Sequence, residues 1–113
     1  KFNFINIVIM LETELNVDDF LLFTKSIEIK MGRDLNQKRN HKRIIDIDIL
    51  TFNDDSVNKE NLIIPHPRIC ERKFVLIPWN EISPKHHILS LNKNINSLLN
   101  ATKDDSKVIK LTQ

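Results

Sequence analysis

The sequence predicts a small α+β sandwich, and two observations carry this prediction. An apolar β-branched stretch, an amphipathic helical stretch and a second β-branched stretch follow one another along the chain. With 113 residues, of which 41% are hydrophobic and 28% charged, the chain has the composition of an ordinary globular domain with one core. Strands and helices in this order pack as an α+β sandwich.

The first two predicted elements are a strand and a helix. Residues 4–13 are apolar and β-branched, which predicts a strand. Asn16 or Asp18 is then expected to cap a helix over 18–31, with Gly32 as its C-terminal cap. The apolar face of this helix is predicted from four residues at helical spacing: Phe20, Phe23, Ile27 and Met31.

Further short elements fill the rest of the chain. Residues 33–42 are polar and basic, which predicts a mobile loop, and the isoleucines of 43–52 predict the second strand. A turn, a short extended segment and a helix that stops or bends at Pro78 are expected next. Beyond Ser83 the sequence predicts one weak helix over 94–102 and then a polar tail.

The second predicted strand carries two acids, Asp46 and Asp48, in the sequence "RIIDIDILTF". Residues two apart on a strand share a face and lie about 7 Å apart, so both carboxylates point the same way and the isoleucines point into a core. Two such carboxylates repel one another unless water or a cation screens them. Mg²⁺ prefers oxygen ligands of this kind, together with substrate phosphates.

The surroundings of this acid pair decide between two interpretations. An isolated D-x-D pair is usually a solvated sheet face with basic residues opposite. Here many cationic side chains flank the pair, which is typical of a polyphosphate site. The chain has no Walker motif, glycine-rich loop or kinase signature. The flanking cations are Arg33, Lys38, Arg39, Lys42, Arg43, His66 and Arg72.

Together these stretches resemble the 6-hydroxymethyl-7,8-dihydropterin pyrophosphokinase family of folate biosynthesis. The family pattern of an arginine before a D-x-D strand, a "PH" segment and an R-x-F-x-L-x-P stretch is matched by "RIIDIDIL", "LIIPHP" and "ERKFVLIPWNEI". The upstream stretches "FINIVIMLET" and "IEIKMGR" are similar to the family's pterin-side strand and its helix end. The resemblance covers residues 3–84.

The resemblance implies a ferredoxin-like α+β fold and an ATP-dependent pyrophosphokinase that makes AMP and the pterin diphosphate. It implies that Asp46 and Asp48 hold two Mg²⁺ ions and act in catalysis with Arg33 and Arg43. The implied ATP-binding residues are Glu28, Arg39, Arg43, His66 and Arg72. The implied pterin-binding residues are Asn6, which hydrogen-bonds the pterin, and Phe4 and Phe74, which sandwich its ring.

Several of these residues have plainer interpretations. Phe4 and Phe74 suit a hydrophobic core, and a histidine before proline, such as His66, is usually on the surface. Asn6 is harder to dismiss, because an amide within an apolar strand needs hydrogen-bond partners.

The resemblance also implies an organisation of the chain. Residues 1–92 correspond to the C-terminal portion of the family's domain, incomplete at the N-terminus because its first strand and first loop are missing. Residues 93–113 are expected to be a C-terminal helix, tail or linker, and the family's frequent fusion to dihydropteroate synthase suggests such a partner.

Two other functions stay open, a nucleic-acid-binding ferredoxin-like module and a non-catalytic scaffold. Only 6% of residues are aromatic, none is tyrosine and the net charge is only +2, so a nucleic-acid partner is not expected. No apolar stretch approaches the roughly 20 residues that span a membrane. The single cysteine, Cys70, suits a reducing intracellular compartment such as the cytoplasm.

Overall fold

The computed structural model describes residues 4–32 and 45–111, and its mixture of helices and strands confirms the predicted α+β class. In chain order the elements are α1 (Val17–Lys30), β1 (Val57–Lys59), β2 (Leu62–Ile64), α2 (Lys73–Ile82), β3 (His87–Ile88), β4 (Lys93–Asn94) and α3 (Ile95–Ala101). The chain forms two units: a smaller unit, Glu12–Ile49, and a larger unit made of Lys1–Leu11 and Leu50–Gln113. Within the described ranges, no helix is long and apolar enough to cross a membrane.

Helix α1 begins and ends where its sequence predicts. The Asn16 side chain accepts a hydrogen bond from the Asp19 N–H at 2.8 Å, which satisfies one of the free donors of the first turn. At the other end the Gly32 N–H donates to the Ile29 carbonyl at 3.0 Å. Gly32 has φ 109°, a value open to glycine because it lacks Cβ. Local signals therefore set both ends of the helix.

The buried face of α1 differs from the predicted one. Phe23 and Met31 are 50% and 47% exposed, whereas Thr24 and Glu28, one helical turn apart, are each only 2% exposed. The Thr24 hydroxyl donates to the Leu21 carbonyl at 2.7 Å, which lets a polar side chain be buried. The buried face of α1 is thus centred on two polar residues. The spacing of apolar residues does not predict this face.

The two long strands that the sequence predicts are wrong for the residues described. Neither 4–13 nor the described part of 43–52 is a strand. A strand requires a neighbour for its backbone N–H and C=O groups, and β-branched composition alone supplies none. From residue 4 to residue 16 only Val8 is even half-buried, and it packs against the core of the larger unit.

The core of the larger unit lies between α2 and α3. Its buried members are Ile69, Leu76, Trp79, Ile88, Ile95 and Leu98. Leu76 and Ile95 are fully buried, one on each helix. The predicted weak helix is confirmed as α3, and the Asn94 side chain caps it by accepting from the Ser97 N–H at 2.8 Å.

Two small antiparallel hairpins complete this unit. In the first, Val57 pairs with Ile64 and Lys59 with Leu62. Leu62 and Ile64 are buried while Ile63, between them, is 45% exposed, the alternation of a strand with one face on a core. The second hairpin pairs β3 with β4. Strand β1 lies inside the stretch predicted to be only a turn.

Helix α2 continues past Pro78 to Ile82, so of the two predicted effects of this proline, a stop or a bend, the stop is wrong. Pro78 has no N–H to donate to the Phe74 carbonyl, one turn earlier. The burial of Leu76 and Trp79 against the core explains why the helix persists despite this lost hydrogen bond.

The C-terminal segment is fixed to the start of α2. The Thr102 hydroxyl donates to the Cys70 carbonyl at 2.7 Å, and the Lys73 N–H donates to Asp104 Oδ2 at 2.9 Å. Farther along, Lys110 Nζ lies 2.6 Å from Glu81 Oε1. We call residues 102–106 the C-terminal clip.

The hydrogen bonds that Asp104 accepts predict that the stability of the protein depends on pH. Hydrogen bonds from the Ser106 hydroxyl, the Lys73 N–H and the Ser106 N–H lower the pKa of Asp104. An Asp whose pKa is lower in the folded protein than in the unfolded protein stabilises the fold at pH values above its unfolded pKa, which is near 3.9. This stabilisation is lost as the pH falls through the folded-state pKa. Asp104→Asn should therefore lower Tm by roughly 5 °C at pH 7.

The difference in Tm between the two proteins should shrink steadily when calorimetry is repeated below about pH 4. Asp105→Asn, which removes the neighbouring exposed charge, is the matched control. A difference in Tm that is the same at pH 3 and pH 7 would contradict the assignment.

Candidate functional site

The described candidate residues fall into both units. Glu28, Asp46 and Asp48 lie in the smaller unit, whereas Phe4, Asn6, His66, Arg72 and Phe74 lie in the larger one. The three other predicted residues, Arg33, Arg39 and Arg43, lie outside the described residues.

The acid pair is presented to solvent by an alternating backbone. Asp46 and Asp48 are exposed, Ile45 and Ile47 are half-buried, and Ile49 is only 9% exposed. This is the alternation that the sequence predicts, with the carboxylates on one side and the isoleucines on the other. It is present although the segment is not part of a sheet in the described residues.

A buried carboxylate on α1 holds the backbone between the two acids. Oε2 of Glu28 accepts a hydrogen bond from the Ile47 N–H at 2.8 Å, although the two residues are 19 positions apart. The other oxygen, Oε1, lies 3.6 Å from Lys25 Nζ. A hydrogen bond to an ionised acceptor is short and strong, so Glu28 fixes the position of the D-x-D backbone.

Burial changes what Glu28 is suited to do. Its side chain is 2% exposed, which favours a contact within the protein over a contact with a bound nucleotide. The resemblance implies an ATP-binding role, while the observed hydrogen bond indicates that Glu28 orients Asp46 and Asp48.

The donor set at the acid pair suits a hard divalent cation. Two exposed carboxylates supply only oxygen ligands, and Mg²⁺ usually takes one or two carboxylates and completes its shell with water and phosphate oxygens. Among the described residues, no group of three or more His, Cys, Asp or Glu side chains could enclose a metal by itself. Two carboxylates leave the rest of the Mg²⁺ coordination shell to water and phosphate oxygens, the ligands that usually complete it.

In the larger unit, the His66 ring is oriented by the backbone of Arg68, two residues later. Its Nδ1 accepts from the Arg68 N–H at 3.2 Å, so the neutral ring carries its proton on Nε2. The His66 N–H donates to the Leu50 carbonyl at 2.9 Å, which fixes the main chain. A ring held in this tautomer can donate from Nε2 to an anionic oxygen.

Arg72 and Phe74 form a stacked pair at the start of α2. The Arg72 guanidinium carbon lies 5.8 Å from the centre of the Phe74 ring, within the range of a cation–π interaction. Both residues are half-buried. The structure thus brings together one residue predicted to bind ATP and one predicted to bind the pterin.

The remaining candidates, Phe4 and Asn6, are both exposed, Phe4 by 83%. Phe4 is therefore not part of the core that the described residues form. Asn6 is solvent-accessible, so burial does not force its amide to find a protein partner.

Sequence reasoning missed two residues that support this region, Thr102 and Asp104. Both contact the start of α2 from about 30 positions away in the chain. Their own neighbourhood, "ATKDDSK", is typical of a solvated tail, so no local signal identifies them.

Comparison with known families places most of the chain in a single family. The family model for 7,8-dihydro-6-hydroxymethylpterin-pyrophosphokinase matches residues 1–84. The match includes both described groups of candidate residues, and the C-terminal clip follows it.

Curated relatives carry the same name or a folate-synthesis name. The chain is 43% identical over 79 residues to 2-amino-4-hydroxy-6-hydroxymethyldihydropteridine pyrophosphokinase of Bacillus subtilis, an alignment covering 70% of this chain and 47% of the relative. It is 40% identical over 81 residues to the protein of the same name from Methylorubrum extorquens, covering 72% and 51%. It is 40% identical over 94 residues to the folic acid synthesis protein FOL1 of Dictyostelium discoideum, covering 81% and 14%.

The match therefore spans about half the length of the two pyrophosphokinases.

The contact between Glu28 and Ile47 leads to a stability prediction. Glu28→Ala leaves the Ile47 N–H without its acceptor and opens a void, so it should cost about 2 kcal/mol of unfolding free energy. Glu28→Gln retains an acceptor oxygen and should cost less. Chemical denaturation measures both losses, and hydrogen exchange of the Ile47 amide should accelerate in Glu28→Ala.

Glu14→Ala is the control for this experiment, because Glu14 is an exposed residue of the same type in the same unit. Unchanged protection of the Ile47 amide in Glu28→Ala would show that the hydrogen bond does not hold the segment in solution.

Proposed function

Because the chain belongs to the 7,8-dihydro-6-hydroxymethylpterin-pyrophosphokinase family, we propose that it transfers pyrophosphate from ATP to 6-hydroxymethyl-7,8-dihydropterin. The pterin hydroxymethyl oxygen forms a bond to the β-phosphorus of ATP while the bond from that phosphorus to the α-phosphate bridging oxygen breaks. AMP leaves, the pterin diphosphate is formed, and the hydroxyl proton passes to solvent. The observation that carries the proposal is the exposed acid pair, which lies within the family match. Glu28 accepts a hydrogen bond from the backbone N–H between the two acids.

In this proposal Asp46 and Asp48 would hold Mg²⁺, two ions in all. When bound, Mg²⁺ would supply charge neutralisation at the phosphate oxygens. Glu28 contributes by keeping the backbone N–H of Ile47 engaged, so that the two acids stay on the solvent side. Catalysis then rests on positioning and charge neutralisation.

The cationic residues bind the triphosphate. Arg72 presents a planar guanidinium that can grip two phosphate oxygens, and His66 offers its Nε2 proton. Arg39 and Arg43 are assigned to the ATP phosphates, and Arg33 and Arg43 to catalysis, on the family resemblance.

The pterin is assigned to the aromatic and amide candidates. The Phe74 ring, already stacked with Arg72, offers a flat surface beside the phosphate-binding group. Phe4 covers the other side of the pterin ring, and Asn6 hydrogen-bonds its edge. This assignment makes the Arg72–Phe74 pair the junction between the two substrates.

We further propose that the apolar segment 4–11 packs against additional sequence of a ferredoxin-like domain. Its exposed side chains are too apolar for a surface in water, with Ile5 and Ile7 each 79% exposed. The proposal is supported by the length of two relatives, which are about twice as long as the matched region.

Fusion to another folate enzyme also belongs to the proposal. The relative from Chlamydia caviae is named a folate synthesis bifunctional protein, and it is 41% identical over 73 residues. Dihydropteroate synthase is the fused partner that the resemblance suggests.

A reducing intracellular compartment suits Cys70, an exposed free thiol in a chain with no second cysteine.

The proposed function predicts AMP as the nucleotide product. The chain, extended upstream by its own gene sequence, is incubated with ATP, Mg²⁺ and the pterin, and AMP is separated from ADP. Formation of AMP that depends on the pterin is expected. ADP would instead indicate ordinary phosphoryl transfer, and the absence of any nucleotide product would favour a scaffold.

In the same assay, Asp46→Asn and Asp48→Asn should each lower kcat by about 10³-fold, because each weakens the Mg²⁺ site. Pterin binding, measured by calorimetry, should change far less. Asp54→Asn, which alters an exposed acid in a turn, should keep normal activity. A normal rate in either D-x-D variant would overturn the metal assignment.

The packing proposal is tested by Ile7→Lys in two lengths of chain. In the 113-residue chain this substitution should barely change stability, because Ile7 is already exposed. In the upstream-extended chain it should cost about 2 kcal/mol, because a buried isoleucine is replaced by a charge. Ile109→Lys, at another exposed isoleucine, should be neutral in both lengths.

Equal effects of Ile7→Lys in the two lengths would show that the added sequence does not cover this segment.

A further inference from the structure

Helix α2 begins without a capping side chain of its own, although it carries the Arg72–Phe74 pair. Arg72 occupies the N-cap position with φ −121° and ψ 89° and makes no side-chain cap hydrogen bond. Serine, threonine, aspartate and asparagine are preferred at this position because they accept from the N–H groups of the first turn. Arginine has no acceptor atom, so the start of α2 depends on groups from elsewhere.

The C-terminal clip supplies these groups on both sides of Arg72. Asp104 Oδ2 accepts from the N–H of Lys73, the next residue, at 2.9 Å. The Thr102 hydroxyl donates to the carbonyl of Cys70, two residues earlier, at 2.7 Å. The backbone of Arg72 is therefore held between two hydrogen bonds to the same three-residue stretch.

The clip is also braced internally. The Asp104 N–H donates to Thr102 Oγ1 at 3.3 Å, so the two clip residues are bonded to one another. The N–H of Ser106 donates to Asp104 Oδ1 at 2.9 Å, and the Ser106 hydroxyl donates to the same oxygen. One carboxylate oxygen is thus used to fix the clip and the other to cap the helix.

We propose that Thr102 and Asp104 are positioning residues for the Arg72–Phe74 pair, which makes the C-terminal clip part of the working site. The inference rests on the proposed function, in which Arg72 grips the triphosphate and Phe74 stacks on the pterin. It extends the site to residues that follow the family match at 1–84. Neither clip residue touches substrate; each acts through the backbone at Arg72.

The first test measures position without turnover. In NMR spectra of the 113-residue protein, nuclear Overhauser contacts between Arg72 side-chain protons and Phe74 ring protons report the stacked pair. Asp104→Ala should remove or weaken these contacts while those among core residues such as Leu76 and Ile95 persist. Asp105→Ala, the neighbouring exposed acid, should leave them unchanged. Intact Arg72–Phe74 contacts in Asp104→Ala would overturn the proposal.

The second test measures the consequence for catalysis in the upstream-extended enzyme. Asp104→Ala should lower kcat/KM for ATP by roughly tenfold, with Thr102→Val showing a smaller loss in the same direction. Asp104→Asn retains an acceptor oxygen and should restore part of the activity. Measurements are made well below the Tm of the least stable variant, and Thr102→Val replaces Asp104→Ala if the latter fails to fold.

A double-mutant cycle separates positioning from general stability. In an Arg72→Ala background, adding Asp104→Ala should change kcat/KM by less than about twofold, because the group being positioned is absent. A full tenfold loss in that background would assign Asp104 a purely structural role. Absence of AMP from the unmutated enzyme would refute the proposed function, and the NMR contacts would still decide the proposal for the clip.

Discussion

A buried carboxylate must find partners inside the protein, and the candidate site depends on how Glu28 does so. Removing a charged group from water is costly unless hydrogen bonds and a counter-charge replace its hydration. Glu28 obtains its backbone donor from Ile47 and its positive charge from Lys25. Because the Ile47 N–H lies between Asp46 and Asp48, its hydrogen bond to Glu28 also fixes the direction in which these two carboxylates point. The hydrogen bond that the buried Glu28 of α1 needs therefore also positions the acid pair.

The larger unit uses apolar packing for a comparable purpose. Leu76 and Trp79 of α2 pack against Ile95 and Leu98 of α3, which keeps α2 helical in spite of its internal proline. That packing fixes the axis of the helix but supplies no acceptor for the Lys73 N–H at its start. Asp104 of the C-terminal clip accepts from this N–H. Packing thus stabilises the body of α2 and capping stabilises its N-terminal end. Arg72 and Phe74 lie at this end.

The features that could be predicted from the sequence are those with local causes. Asn16 caps α1, Gly32 ends it, and the alternation of isoleucine and aspartate turns Asp46 and Asp48 to solvent. The failures have non-local causes. Residues 4–13 have strand composition, but pairing depends on a partner that composition does not provide. The burial of Glu28 depends on a backbone N–H 19 positions away, and the cap of α2 on an acid 31 positions away.

The separation between Lys73 and Asp104 also bears on the order in which the protein is completed during synthesis. Translation proceeds at about 5–20 residues per second, so Asp104 is added roughly 2–6 s after Lys73. Until then α2 lacks its cap, and its interior proline opposes helix formation. The segment that carries Arg72 and Phe74 therefore receives its cap only after the 31 residues from Lys73 to Asp104 have been added. A chain that stops short of residue 104 would contain both side chains but would lack the carboxylate that caps the helix beginning between them.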